Sequence, residues 1–180
     1  MSYYSEHAQE YIESTLHADM SEMYAMFEPL LPKGGSILDV GFGSARDMLY
    51  FRSKGFDAHG IDPEPKFVEH AKILGLDVEA ADVLSYAPNR KFDGIWACAS
   101  LLHLTKREFH NAIDHLISLL SNKGFLFISM KEGNSEGLDE KGRPMLFVGE
   151  DTFDEYKVYS LKRTVEQGRG ITWINAILKK

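Results

Sequence analysis

A single cysteine, Cys98, among 180 residues allows no intrachain disulfide and no multi-cysteine zinc cluster. Basic tracts are also missing. No tract of Lys or Arg is longer than a pair such as the terminal Lys179-Lys180, and 27 acidic side chains against 20 basic ones leave a net charge of −7. Neutralising a phosphate backbone takes clustered cations, so nucleic acid is not an expected partner. No stretch approaches the roughly 20 apolar residues of a membrane span. Glu6, Glu10, Glu13 and Asp19 stand where a secretory signal would have its apolar core, so the expectation is a cytoplasmic chain. The 7 histidines are scattered and no ligand-spaced His/Cys/Asp/Glu set stands out, so no metal site is expected. Repeats and low-complexity linkers are absent too.

What is present is an ordinary globular composition, 44% apolar and 12% aromatic, in a length that suits one domain over residues 1–180. Residues 1–32 read as a helical lid in two pieces. Tyr11, Ile12 and Leu16 share one side of the first piece. Asp19 with Glu22 has the spacing of an N-cap and its partner, ahead of Met23, Phe27 and Leu30. Strand and helix then alternate through a core at 36–130, with strands at 36–40, 57–61, 77–81, 92–98 and 125–130. Helices fall at 44–53, from Pro65 through Leu74, and from a Thr105–Glu108 capping box through Leu120. Gly55 and Gly75 stand where glycine closes a helix. Asn122-Lys123-Gly124 reads as a turn into a strand apolar enough to be buried on both faces. Residues 131–180 break the rhythm: 131–155 read as mostly irregular, then 156–164 and 171–178 as a hairpin joined by Glu166-Gln167-Gly168-Arg169-Gly170. The fold class is α/β: a mostly parallel seven-stranded sheet with helices on both faces and an antiparallel C-terminal hairpin at its edge.

The chemistry concentrates in Ile37-Leu38-Asp39-Val40-Gly41-Phe42-Gly43-Ser44-Ala45-Arg46-Asp47. An apolar run ends in an acid, passes two glycines and reopens as a helix. Glycines at such a turn let a ligand press against bare backbone, and the helix behind them presents free N–H groups. Asp39 puts negative charge where a pyrophosphate would sit, so a cationic or zwitterionic nucleoside fits better. That is the logic of an S-adenosylmethionine site. Ligands of open α/β sheets lie beyond the C-terminal strand ends. The next loop there carries Asp62-Pro63, roughly twenty residues after the glycines, the distance at which an acid reaches a ribose. Asp82-Val83 follows the third strand, where an acid can accept from the amine of adenine. Ala99-Ser100-Leu101-Leu102-His103 follows the fourth, where the reactive end of the cofactor would point. Each of these has a plainer reading alone: helix cap, turn residue, surface acid, solvent-facing histidine. Their succession at consecutive strand ends carries the inference.

On these residues the chain resembles the class I S-adenosylmethionine-dependent methyltransferases, in the compact bacterial group with a strand-end acid, a glycine loop and then Arg-Asp. The resemblance runs from about Tyr11 to Met130 and is strongest at 37–47, 60–62 and 92–104. It implies a Rossmann-like fold, S-adenosylmethionine as methyl donor and S-adenosylhomocysteine as product. By the same resemblance Asp39, Gly41 and Gly43 lie along the amino-acid moiety of the cofactor. Asp62 and Pro63 fall at the ribose, Asp82 and Val83 at the adenine, and Ala99 near the reactive end. Similar enzymes close the site with N-terminal helices, which makes Tyr11 and the segment near Met20 candidates for a lid. Arg46 meets either the cofactor carboxylate or an acid of the protein. Two departures stand out. Ala45 replaces the family's third glycine, and is expected to be harmless as part of the first helical turn. Only residues 149–155 are available for the helix between the fifth and sixth strands. That would leave a sheet face less covered, or covered by a second subunit in a homodimer.

Methyl transfer from a sulfonium is an in-line displacement in which the protein aligns the reactants and excludes water. His103 is the candidate to take the acceptor's proton. A short lid and an acidic chain point to a small-molecule acceptor, with Tyr3, Tyr4, Tyr11, His103 and residues 131–144 as the places for selectivity. Lys131 and Arg143 either receive an acidic substrate or form plain salt bridges. Two rival functions come from other classes. A dinucleotide oxidoreductase would want a third glycine where Arg46 stands. A cofactor-binding protein without turnover, acting as an interaction module, would be consistent with Ala45 and the shortened C-terminal region.

Overall fold

The computed structural model describes residues 3–139, 142–166 and 168–180. Helices α1 (Tyr3–Thr15) and α2 (Ser21–Phe27) precede an alternating run. It comprises β1 (Ser36–Val40), α3 (Arg46–Ser53), β2 (Asp57–Asp62), α4 (Pro65–Ile73), β3 (Asp77–Ala80), β4 (Phe92–Cys98), α5 (Lys106–Leu119) and β5 (Leu120–Lys131). Two short strands, β6 (Glu136–Leu138) and β7 (Pro144–Leu146), pair with each other before the hairpin β8 (Val158–Glu166) and β9 (Ile171–Lys179). The main sheet has 7 strands in the order β3-β2-β1-β4-β5-β9-β8. β1 to β5 run parallel, and β9 and β8 are antiparallel additions at one edge. The chain leaves β1 toward β2 on one side and returns to β4 on the other, which opens a crevice at the strand ends. Among the described residues no helix is long and apolar enough to cross a membrane.

Period-two alternation sorts the strands' side chains onto two faces. Leu38, Ile95, Ala97, Leu126, Ile128 and Ala176 pack with Phe109, Ile113 and Leu116 of α5. Ile37, Trp96, Phe127 and Ile177 pack with Tyr24 and Phe27 of α2 and Phe51 of α3. On this second face Trp96 stacks on Phe127 with centroids 3.9 Å apart. α1 lays Ala8 and Ile12 against Phe67 and Val68 of α4, which carries the N-terminal segment over the open end of the sheet.

The capping box forms as expected: Glu108 N–H donates to Thr105 Oγ1 at 3.3 Å, and Thr105 N–H to Glu108 at 2.9 Å. Three expectations are corrected. Asp19 sits one position too early to be the N-cap; Met20 is the cap, and Asp19 instead accepts the Ser21 N–H at 2.9 Å. Residues 122–124 do not precede β5 but bulge within it, since Phe92 pairs with Leu120 while Gly94 already pairs with Phe125. The stretch expected to be mostly irregular is so, apart from β6 and β7, which are too short to show a strand period. The sheet face thought to lack a helix is covered by this chain itself: Met145, Leu146, Val148 and Phe153 are all buried there. Gln167 of the β8–β9 connection lies outside the described residues.

Ala45 is the sharpest departure. It does not begin α3 but stands one residue before it, left-handed at φ 64° and ψ 14°. It is fully buried. Its N–H donates to Phe42 O at 2.9 Å and its carbonyl accepts from Leu49 N at 3.0 Å, so the turn holds it on both sides. An L-residue with a Cβ in this region costs on the order of 1 kcal/mol.

Candidate functional site

A cavity of about 680 Å³ opens where β1 to β4 end, within the usual size of a small-molecule site. Tyr11, Gly41, Gly43, Asp62, Pro63, Asp82, Val83, Ala99 and His103 all line it. Asp39 and Arg46 do not. The three tyrosines of α1, Tyr3, Tyr4 and Tyr11, supply one wall, and Arg143 with Pro144 another.

Asp62, at the end of β2, is 5% exposed. Its Oδ2 accepts from the Gly43 N–H at 3.0 Å and its Oδ1 from the Glu64 N–H at 2.8 Å. Burial pushes its carboxyl up to about 6, against the pull of those two backbone bonds. A carboxylate has roughly four acceptor positions, so about half of its capacity is unspent beside the cavity. Asp82 is exposed and caps its own turn, with Oδ1 accepting from the Leu84 N–H at 2.8 Å.

The glycine loop is tighter than its sequence implies. Gly41 and Gly43 are left-handed at φ 67° and 52°. A Cβ on Gly41 would lie 2.5 Å from Ser100 Cβ, and one on Gly43 2.9 Å from Tyr11 Cε1. The bare side of these residues is therefore filled by Ser100 and Tyr11, and not held open for a ligand. Behind the loop, Asp39 is 2% exposed. Burial holds its carboxyl well above the usual carboxylate range, with Asp47 adding to the effect and Arg46 opposing it. Asp39 Oδ2 and Ser100 Oγ are buried and have no hydrogen-bond partner among the described residues. Ser100 lines the cavity and Asp39 lies behind it; an orphaned atom in a cleft wall, as Ser100 Oγ is, fits a polar ligand that is yet to bind.

Arg46 takes the second of its two expected roles. Its Nε and Nη2 grip Asp47 at 2.7 and 2.8 Å. Asp47 also accepts from Tyr24 Oη at 2.5 Å and Trp96 Nε1 at 2.9 Å. His103 is not a free base either: its Nε2 lies 2.8 Å from Tyr4 Oη and its Nδ1 2.6 Å from Pro144 O. Sequence reasoning gives no role of their own to three residues. Asp47 stands out only as part of Arg-Asp. Ser100 and Glu64 line the cavity; Glu64 is 7% exposed and carries no signal beyond sitting at a proline-flanked helix entry.

A family profile for a methyltransferase domain matches residues 4–167. The chain belongs to the methyltransferase-domain family. A protein of Alkaliphilus oremlandii (strain OhILAs) described as an uncharacterized methyltransferase is 29% identical over 99 residues, 54% of this chain. The match spans just under half, 46%, of that curated relative. Among solved structures, this chain superposes on Burkholderia thailandensis 1,6-didemethyltoxoflavin-N1-methyltransferase, bound to 1,6-didemethyltoxoflavin and S-adenosylhomocysteine. The TM-score is 0.81 at 18% identity, over 98% of this chain and 83% of that one. N-methyltransferase NodS of Bradyrhizobium japonicum, also with S-adenosylhomocysteine, gives 0.68 at 14% identity over 96% of this chain and 98% of that one. At such identities the likeness establishes the fold alone.

Proposed function

We propose that this methyltransferase transfers the methyl group of S-adenosylmethionine to a small-molecule acceptor. The observation that carries the reading is Asp62, buried at the cavity, anchored by two backbone N–H groups and left with acceptor capacity facing no protein donor. The two solved relatives crystallised with S-adenosylhomocysteine share this fold, which supports the choice of cofactor.

In this reading Asp62 accepts the ribose hydroxyls and Asp82 the adenine amine. The Gly41–Gly43 turn runs along the amino-acid moiety, with Asp39 behind it offering the buried Oδ2 that no group of the described residues partners. Pro63, Val83 and Ala99 give the apolar contacts, and Tyr11 closes the site from the lid. Arg46 positions the loop through Asp47. The cofactor, when bound, supplies an activated methyl on a sulfonium. The chain's own work is to align the acceptor, hold water out with α1 and keep the surroundings of low polarity. The acceptor end, walled by Tyr3, Tyr4, Tyr11 and Phe67, suits a small planar compound.

Calorimetric titration with S-adenosylmethionine, S-adenosylhomocysteine and NADH tests this. Micromolar binding of the first two with none of NADH is the expected outcome. Binding of NADH alone, or of none of the three, would contradict it.

A further inference from the structure

At the acceptor end, a line of polar groups drawn from three distant parts of the chain meets the cavity. Asp139 holds Arg143 through Nε at 2.7 Å and Nη2 at 2.6 Å. The remaining Nη1 donates to Tyr4 Oη at 2.8 Å. Tyr4 Oη is in turn 2.8 Å from His103 Nε2, and His103 Nδ1 is 2.6 Å from Pro144 O.

The direction of each bond follows from what each atom can do. A backbone carbonyl only accepts, so His103 Nδ1 carries a proton. Burial lowers the basicity of the ring; Arg143 and Lys131 press the same way, while the Pro144 carbonyl and Asp139 oppose them. His103 is therefore neutral near pH 7, and Nε2 offers a lone pair. Tyr4 Oη donates its proton to that lone pair, since its own oxygen already accepts from Arg143. A phenol has one proton and two lone pairs. One lone pair is left, on a side chain that lines the cavity. The edge-on rings of Tyr11 and Phe67, with centroids 5.3 and 5.9 Å from that of Tyr4, make the surroundings aromatic.

Resting on the methyl-transfer reading, we propose that the Tyr4 hydroxyl is the catalytic group that receives the acceptor's proton, with His103 as the positioning residue behind it that takes up the charge. The acceptor class is a neutral N–H or O–H compound on a planar ring. Its N–H or O–H donates to the free lone pair of Tyr4 Oη. As the acceptor's heavy atom forms its bond to the methyl carbon, the carbon–sulfur pair stays on sulfur. The acceptor's proton passes to Tyr4 Oη and the Tyr4 proton to His103 Nε2. A sulfonium and a neutral acceptor thus become a thioether, a methylated acceptor and an imidazolium, with charge conserved. Arg143 keeps the phenol oxygen oriented throughout, and Pro144 O keeps the ring from rotating.

Protein labelled with 15N at histidine, free and saturated with S-adenosylhomocysteine, tests this by long-range proton–nitrogen correlation across about pH 5–9. The expected His103 signal is a neutral ring at pH 7, protonated on Nδ1 and titrating below the ordinary value of about 6.5. Tyr4→Phe should move the Nε2 resonance and leave the Nδ1 bond intact. A proton on Nε2, a charged ring at pH 7, or an Nε2 resonance unmoved by Tyr4→Phe would overturn the assignment. These signals are read with or without the ligand, so loss of S-adenosylhomocysteine binding would count separately, against the cofactor reading. In turnover of an N–H or O–H acceptor, Tyr4→Phe and His103→Gln should each lower kcat by roughly 10²-fold, and the double variant no further. Losses that multiply, or a kcat for Tyr4→Phe close to that of the parent, would refute the relay.

Discussion

Asp47 and Asp62 are buried acids on either side of the glycine loop, 6% and 5% exposed, and they are bonded to opposite ends. Asp47 accepts from Arg46 Nε, Arg46 Nη2, Tyr24 Oη and Trp96 Nε1, which fills the roughly four positions of a carboxylate. Among the described residues Asp62 accepts only from the backbone of Gly43 and Glu64. The first is a closed hub that ties α2, α3 and β4 together. The second is fixed in place by main chain and still has capacity toward the cavity. In the proposed reading the first acid holds the fold and the second serves the ligand; burial does not separate the two, and saturation does.

The comparison can be broken at either acid. Asp47→Ala leaves Arg46 half-buried without its carboxylate, holding only the long contacts to Thr15 O and Cys98 Sγ, and should cost about 3–5 kcal/mol in urea unfolding. Asp62→Asn should instead act on binding. The S-adenosylhomocysteine Kd should rise by about 100-fold, one charge-assisted bond's worth, while the urea midpoint moves far less than in Asp47→Ala. A reversal of these two effects would mean that the roles are exchanged.

Acidity sharpens the contrast. The carboxyl of Asp62 lies at about 6 in the fold against an ordinary 3.8. A raised value means that the fold holds this proton more tightly than the unfolded chain. Through Asp62 alone, stability is therefore greatest at low pH and is lost as pH rises toward and past about 6. Ribose hydroxyls need the ionised form, so affinity should run the other way. Calorimetry should show S-adenosylhomocysteine binding constant above pH 7 and weakening by about tenfold per unit as pH falls below about 6. The smallest effect belongs to the loop between the two acids. Ala45→Gly relieves a left-handed alanine and should raise the melting temperature by about 2 °C, with little change in Kd.

The sequence's local signals were the ones the structure kept. β4 appears at Phe92–Cys98 and the Thr105 capping box closes, because period and caps are written within a few residues. Asp62 at the strand end and the glycine turn were legible for the same reason. What stayed hidden depends on distant partners. The contacts of Asp47 reach back to Tyr24 and forward to Trp96, 23 and 49 residues away, and Tyr4 meets His103 across 99. Nothing in the composition of 131–155 announces a hairpin whose strands are 3 residues each. Ala45 misled for a different reason: its preference is helical, and only the surrounding loop forces the opposite hand.

The most direct test of the central claim is the carboxyl titration of Asp62, followed by 13C NMR with and without saturating S-adenosylhomocysteine. A carboxylate waiting for ribose hydroxyls should titrate near 6 in the free protein and move down by about a unit or more once those donors stabilise its ionised form. Identical titration curves for the free and the ligand-saturated protein would contradict the account, because the ligand would then be binding without engaging the acid on which the site is built.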